Sequence, residues 1–126
     1  MPITHAISED QTCLLITITG QFTLSIAEAM INQLLPVATT AGISKVLVDA
    51  RGQMPPLDIL SAHELGLVLA QPELRGFAIA IVVPDALEQP HHIEVVAQNR
   101  GRNVRYFNDP AQARAWLGVA ADIKFA

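Results

Sequence analysis

The spacing of hydrophobic residues changes several times along the chain, and each change marks the start of another predicted element. Segments 3–7 and 13–19 alternate between apolar and polar residues, which predicts two β-strands. Ser8-Glu-Asp-Gln between them predicts a hairpin turn, so the two strands are expected to be antiparallel. Leu14, Ile16 and Ile18 share one face of the second strand, whereas threonines occupy much of the other. A strand with one polar face is typical of a sheet margin.

Helical spacing follows the second strand. Ser25 and Glu28 have the form of a capping box, which predicts that a helix begins at Ser25. Pro36 removes an intrahelical hydrogen bond, so the helix is predicted to kink or to end early there, and Gly42 closes the unit. Four residues recur at helical intervals and are predicted to face the sheet: Ala27, Met30, Ile31 and Leu34.

Two nearly continuous apolar runs, 45–50 and 76–83, predict central parallel strands that are buried on both faces. A helix is predicted at 58–70, with Asp58 as its cap, and another at 91–100, with Gly101 as the left-handed residue at its end.

The last predicted unit is a strand at 104–107 followed by a helix at 110–118. Asp109 is a typical helix cap, Pro110 suits the first helical position, and three residues are predicted to turn inward: Ala113, Trp116 and Leu117. The whole order, β-β-α-β-α-β-α-β-α, predicts an α/β fold. We expect one domain over residues 1–126, with a mixed, mostly parallel β-sheet and flanking helices.

Composition adds an expectation about partners. Of the 126 residues, 51% are hydrophobic and 16% charged, and the mean hydropathy is +0.35, which suggests that apolar surface is buried against another chain. A net charge of −4 argues against binding to nucleic acid or to an anionic membrane. No apolar run approaches the roughly 20 residues needed for membrane insertion. The lone Cys13 is interpreted as an inert, small hydrophobic residue, and it fits the reducing cytoplasm, where we expect the protein to be located.

No group of residues has the spacing of a catalytic, cofactor or metal site, so we expect no enzyme activity and no bound cofactor. Asp49 ends a central strand, but it lacks the acidic neighbours of a metal-assisted phosphoacceptor. It is interpreted as a brace that binds backbone N–H groups of the following turn. His91 and His92 are adjacent in a helix and point in different directions, so they do not predict a metal site.

The predicted helix 58–70 is apolar on more than one side. Five large residues surround it instead of forming one stripe: Leu60, Leu65, Leu67, Val68 and Leu69. Such a helix must be covered on more than one side, either by the following loop and tail or by a subunit or partner protein. In the second case the predicted contact surface consists of Arg51, Asp58, Leu60, His63 and Leu67. His63 on its own is interpreted as a partly buried packing residue.

Val46-Leu-Val-Asp-Ala50 and the ending Val104-Arg-Tyr-Phe-Asn-Asp-Pro-Ala-Gln-Ala-Arg-Ala-Trp-Leu117, together with the element order, resemble the STAS family in its SpoIIAA-like branch. This is the fold of bacterial anti-sigma-factor antagonists. The resemblance implies a non-enzymatic regulatory module that binds a protein partner. The apolar character of the predicted helix 58–70 adds the expectation of a homodimer.

Partner-switching members of that family carry Asp-Ser-Ser/Thr-Gly at the start of the second helix, where a kinase phosphorylates the hydroxyl. The corresponding region here is Leu57-Asp58-Ile59-Leu60, which has no hydroxyl, and Ser61 comes later, inside the predicted helix. The resemblance therefore implies a module without serine-phosphorylation switching. Asp58 would supply a fixed negative charge near a helix N-terminus, or simply a cap.

A related branch without the phosphorylation site, which this chain resembles more closely, is similar to the lipid-carrier fold of the SEC14 type. It implies an alternative function for this chain, the binding of a small apolar or lipid-like ligand between the predicted helix 58–70 and the sheet.

Overall fold

The structure, a computed structural model, describes residues 3–8, 11–20, 24–53, 76–83 and 103–119, with Leu67, Val95, Gln98, Asn99 and Gly101 as single residues between them. The described strands are β1 (Ile3–Ile7), β2 (Leu14–Gly20), β3 (Lys45–Gln53), β4 (Ala78–Val82) and β5 (Asn103–Phe107). The described helices are α1 (Leu24–Ala41) and α2 (Pro110–Leu117).

The five strands form one sheet in the order β1-β2-β3-β4-β5. β1 pairs with β2 in antiparallel fashion, and each later strand pairs in parallel with the strand before it. The prediction of a mixed, mostly parallel sheet is therefore confirmed. β3 lies at the centre of the sheet, as its continuous apolar run predicts. β1 lies at the margin, whereas β2, whose threonines favoured a margin, lies between β1 and β3, so that expectation is wrong.

The predicted hairpin turn joins β1 to β2. The backbone N–H of Ser8 donates to the carbonyl of Cys13 at 2.9 Å, and the N–H of Gln11 donates to the carbonyl of Ser8 at 2.8 Å. The buried Ser8 hydroxyl accepts the N–H groups of Thr12 and Cys13, at 3.2 and 3.1 Å. One serine side chain thus holds the turn that returns the chain to the sheet.

α1 begins at Leu24, one residue before the predicted start, and continues through Pro36 to Ala41. Of the two alternatives predicted at Pro36, the early end is wrong, and the kink stays a prediction. Proline costs one hydrogen bond there, but buried residues lie on both sides of it and hold the helix against the sheet: Ala27, Ile31, Leu34 and Ala38. Gly42 closes α1 in the left-handed region, at φ 72°, as expected.

The sheet is covered on both faces, so the core has two halves. β2, β3, β4 and β5 alternate between them: Leu14, Val46 and Ile79 pack towards α1, whereas Leu15, Leu47 and Ala80 pack on the other face together with α2. The face assignment predicted for β2 is therefore correct.

α2 agrees with the sequence in detail. The Asp109 side chain accepts the N–H of Ala111 at 3.0 Å, and Pro110 occupies the first turn. Ala113 and Leu117 are buried, and the Trp116 ring lies 5.8 Å from the Phe107 ring, centroid to centroid.

Four strands differ in their bounds from the predicted segments: β2 is shifted by one residue and β5 begins one residue earlier, whereas β3 and β4 differ by more. β3 continues three residues past Ala50, to Gln53, and β4 is shorter than the run 76–83. Most of the predicted helices 58–70 and 91–100 lies outside the described residues, although Leu67, Val95, Gln98 and Asn99 are helical. Gly101 has φ 79° and donates its N–H to the carbonyl of Gln98, which confirms its predicted position at a helix end.

Candidate functional site

Asp49 and Arg51 form an ion pair near the carboxyl end of the central strand. The carboxylate of Asp49 accepts the Nε and Nη2 groups of Arg51 at 2.9 and 3.0 Å, and it also accepts the backbone N–H of Arg51 at 3.1 Å. Residues two apart in a strand lie on the same face, which brings the two side chains together. Asp49 is the brace that the sequence predicts, but the residue it braces belongs to β3 and not to a following turn.

The pair is only partly shielded from water. The side chain of Asp49 is 14% exposed and that of Arg51 is 46% exposed. Burial tends to raise the pKa of the Asp49 carboxyl, but the hydrogen bonds from the Arg51 side chain and backbone, and its positive charge, outweigh burial and lower this pKa below its ordinary value. The hydrogen bond to Asp49 in turn raises the pKa of Arg51. Both groups are therefore charged at neutral pH.

β2 and β3 change register just beyond Asp49. Thr17 is opposite Asp49 and Thr19 is opposite Gly52, so β3 contains one residue more than β2 over this stretch. Such an irregularity re-aims side chains at the end of a strand. Gly52 fits because a Cβ there would come within 3.1 Å of the Thr19 methyl group. The bulge and the ion pair together determine how Arg51 is presented at this end of the sheet.

The predicted contact surface is only partly described. Arg51 is exposed, and Leu67 is helical with 38% of its surface exposed. Asp58, Leu60 and His63 lie outside the described residues. Ser61 also lies outside the described residues. The same is true of the predicted helix 58–70 beside which the alternative function requires an apolar ligand. Within the described residues the surface therefore stands on Arg51 and Leu67.

Sequence reasoning named Arg51 and Asp49 separately and missed their pairing. The signal was present, because a two-residue spacing in a strand places side chains on one face. It was overlooked because the strand was predicted to end at Ala50, one residue before Arg51.

Within the described ranges, no three His, Cys, Asp or Glu residues come together as a group that could hold a metal ion. His63, His91 and His92 lie outside those ranges. Cys13, just before β2, is buried, and its Sγ lies 3.6 Å from the carbonyl of Leu14. Among the described helices, none has both the length and the apolar character to cross a membrane.

No protein-family model matches this chain, and no curated protein matches it. A solved structure does: an uncharacterized protein of the DUF3478 family from Shewanella loihica PV-4, with a SpoIIAA-like fold. The match covers 91% of both chains with a TM-score of 0.56 and 25% sequence identity. It confirms the resemblance that the central strand and the C-terminal unit indicated. The protein therefore has a SpoIIAA-like α/β fold, which supports a regulatory or interaction module in general.

Proposed function

We propose that the protein is a non-enzymatic, homodimeric module that regulates by binding another protein, through a surface that includes Arg51 and Leu67. The observation that carries the proposal is the exposure of Leu67, a helical leucine with 38% of its surface in contact with solvent, within the segment 58–70 that has more large apolar residues than one helix face can hold. Burial of exposed apolar surface, such as that of a leucine side chain, stabilises a complex by about 25 cal/mol per Å². In a chain with 51% hydrophobic residues, a partner that covers such a residue is favoured.

Arg51 supports the proposal because its position is fixed before a partner arrives. Its guanidinium is held by Asp49 on one side while 46% of the side chain remains exposed. An arginine that is already ordered loses less side-chain entropy on binding, and arginine is enriched in protein interfaces. Arg51 supplies directional polar contacts, and Leu67 supplies apolar area.

The proposed module works without serine phosphorylation. The region that corresponds to the switch motif, Leu57-Asp58-Ile59-Leu60, contains no hydroxyl. In this proposal Asp58 contributes a constant negative charge to the surface that binds the partner. Leu60 and His63 belong to the same surface. Ser61 is not used as an acceptor.

Site-specific photo-crosslinking tests the partner surface. A photoreactive amino acid is placed at position 67, or at position 95 as the control, because Val95 is also helical and also 38% exposed. Irradiation of the cells in which the protein is naturally made should give a discrete adduct with another protein from position 67 but not from position 95. Arg51→Glu should abolish that adduct. Equal crosslinking from both positions, or an adduct indifferent to Arg51→Glu, contradicts the proposed surface.

Light scattering of the purified protein tests the homodimer. The expected mass is twice the 13.6 kDa of the chain. A strict monomer at high micromolar concentration contradicts this part of the proposal.

A further inference from the structure

β1 presents a row of backbone hydrogen-bonding groups away from the sheet. Ser8 donates its N–H to Cys13, so the pair 8–13 is a hydrogen-bonded pair of the hairpin. Hydrogen-bonded and non-hydrogen-bonded pairs alternate in an antiparallel ladder. Thr4 and Ala6 therefore bond to β2, and the N–H and C=O groups of Ile3, His5 and Ile7 point outward. Within the described residues, no strand pairs with this edge.

The outward residues of β1 are symmetric about His5. Ile3 and Ile7 lie two positions on either side of it, and all three side chains share one face of the strand. If a second β1 is laid antiparallel with His5 opposite His5, each Ile3 faces an Ile7. Each outward N–H of one β1 then donates to an outward C=O of the other, because the opposite residues in these pairs exchange two backbone hydrogen bonds.

The side chains of β1 favour such pairing. Ile7 is 40% exposed, more than any other large hydrophobic residue among those described, and its cross-strand neighbour in the symmetric arrangement would be an isoleucine. β1 contains no Lys, Arg, Asp, Glu or Pro, the residues that natural sheets place at an edge to prevent pairing.

The opposite edge of the sheet is different. The carbonyl of Phe107 accepts the N–H of Val83 on the β4 side, so by alternation the carbonyl of Val104 points to the outer side of β5. That carbonyl accepts the side-chain amide of Gln98 at 3.0 Å. β5 also carries the exposed Arg105. β5 is thus blunted at its outer edge in two ways that β1 is not.

We propose that two copies of this chain associate through β1, antiparallel and centred on His5, so that the two five-stranded sheets become one continuous sheet. The twofold axis then runs perpendicular to the sheet, and the two α1 helices lie on the same face. This inference rests on the proposed homodimer and gives its contact. It leaves the surface with Arg51 and Leu67 for the other protein.

Proline scanning of β1 tests the backbone contact. His5→Pro removes an outward N–H that β2 does not use, and proline is tolerated at an edge in that orientation. It should leave the circular dichroism spectrum unchanged and convert the dimer to a monomer in light scattering. Thr4→Pro, the matched control, removes an inward N–H and should lower the thermal unfolding midpoint. A folded His5→Pro protein that remains dimeric overturns the inference.

Charge pairing tests the position of the twofold axis. His5 is exposed, so both His5→Lys and His5→Glu should fold as the wild type does. Each variant alone places like charges opposite each other and should be monomeric, whereas an equimolar mixture should form a dimer that contains one copy of each. Failure of the mixture to dimerise, or dimers of either variant alone with undiminished stability, contradicts the His5-centred arrangement.

Leu67→Asp separates this inference from the proposed function. Loss of the dimer in Leu67→Asp, with Val95→Asp and His5→Pro still dimeric, would keep the homodimer but overturn the contact through β1. A monomeric wild type would overturn both. Loss in His5→Pro alone, with Leu67→Asp still dimeric, supports the contact through β1.

Discussion

The carboxylate of Asp49 accepts hydrogen bonds from both the side chain and the backbone N–H of Arg51, and these bonds fix the position of Arg51. A bidentate contact fixes the plane of the guanidinium, which a single hydrogen bond would leave free to rotate. The glycine that follows, Gly52, accommodates the close approach of Thr19. At the scale of single residues, the end of β3 is therefore a place where an exposed cation is held in one orientation.

Asp49→Asn is expected to lower the free energy of unfolding at pH 7 by about 0.5–1 kcal/mol, because Arg51 is half exposed and such ion pairs are weak. The folded-state pKa of Asp49 lies below the ordinary value of 3.8. The stabilisation is therefore complete above that pH and is lost as the pH falls through the folded-state pKa. Urea unfolding at several values from pH 7 to pH 2 should show the difference between wild type and variant shrinking below about pH 4.

Arg51→Gln serves as the control, since it removes the same pair from the other side and should show the same convergence at low pH. A difference between wild type and Asp49→Asn that is constant with pH would show that the carboxylate does not act through its charge.

At the scale of elements, the hairpin between β1 and β2 depends on Ser8. Ser8→Ala is expected to lower the free energy of unfolding by about 1–3 kcal/mol, because it leaves the N–H groups of Thr12 and Cys13 without the hydroxyl that accepts them. Chemical denaturation measures the change.

A substitution of Gln11, in the same turn, is expected to change the free energy of unfolding in the opposite direction. Gln11 has φ 58°, which costs a residue with a Cβ about 1 kcal/mol relative to glycine, so Gln11→Gly should stabilise the protein. Equal effects of Ser8→Ala and Gln11→Gly would indicate a turn that responds to any change and not to these particular contacts.

Elements whose ends depend on local chemistry could be predicted from the sequence. The Asp109 cap, the glycines at 42 and 101 and the Ser8 turn each depend on residues within a few positions. The early end that was one of two alternatives at Pro36 does not occur, because packing against the sheet on both sides of Pro36 outweighs the lost hydrogen bond.

The end of β3 was misjudged for a related reason. Its last residues pair with β2 only after a register shift, and that shift depends on the partner strand. A non-local contact of this kind leaves no periodic signal in the sequence. The sequence named Arg51 and Leu67 as members of a contact surface, which stays a prediction, but it did not indicate the ion pair of Arg51 with Asp49.

At the scale of the whole molecule, both faces of the sheet are buried, but its two edges differ from each other. Both faces are buried, one with α1 and the other with α2. Among the described residues, the outer carbonyl of Val104 in β5 accepts a hydrogen bond from the Gln98 side chain, whereas no described strand pairs with the outer edge of β1, along which Ile3 and Ile7 lie symmetrically about His5. A sheet with one protected edge can join one copy of itself and then has no second open edge, so association stops at the dimer.

This difference predicts a dependence of thermal stability on protein concentration. If dimerisation through β1 is coupled to folding, the unfolding midpoint of the wild type should rise as the concentration increases, because mass action favours the associated state. His5→Pro should unfold at a midpoint that does not change with concentration, and it should equal the wild-type value at high dilution. Differential scanning calorimetry over a wide concentration range measures both. A wild-type midpoint that is independent of concentration, or a His5→Pro midpoint that rises in parallel with it, contradicts association through this edge.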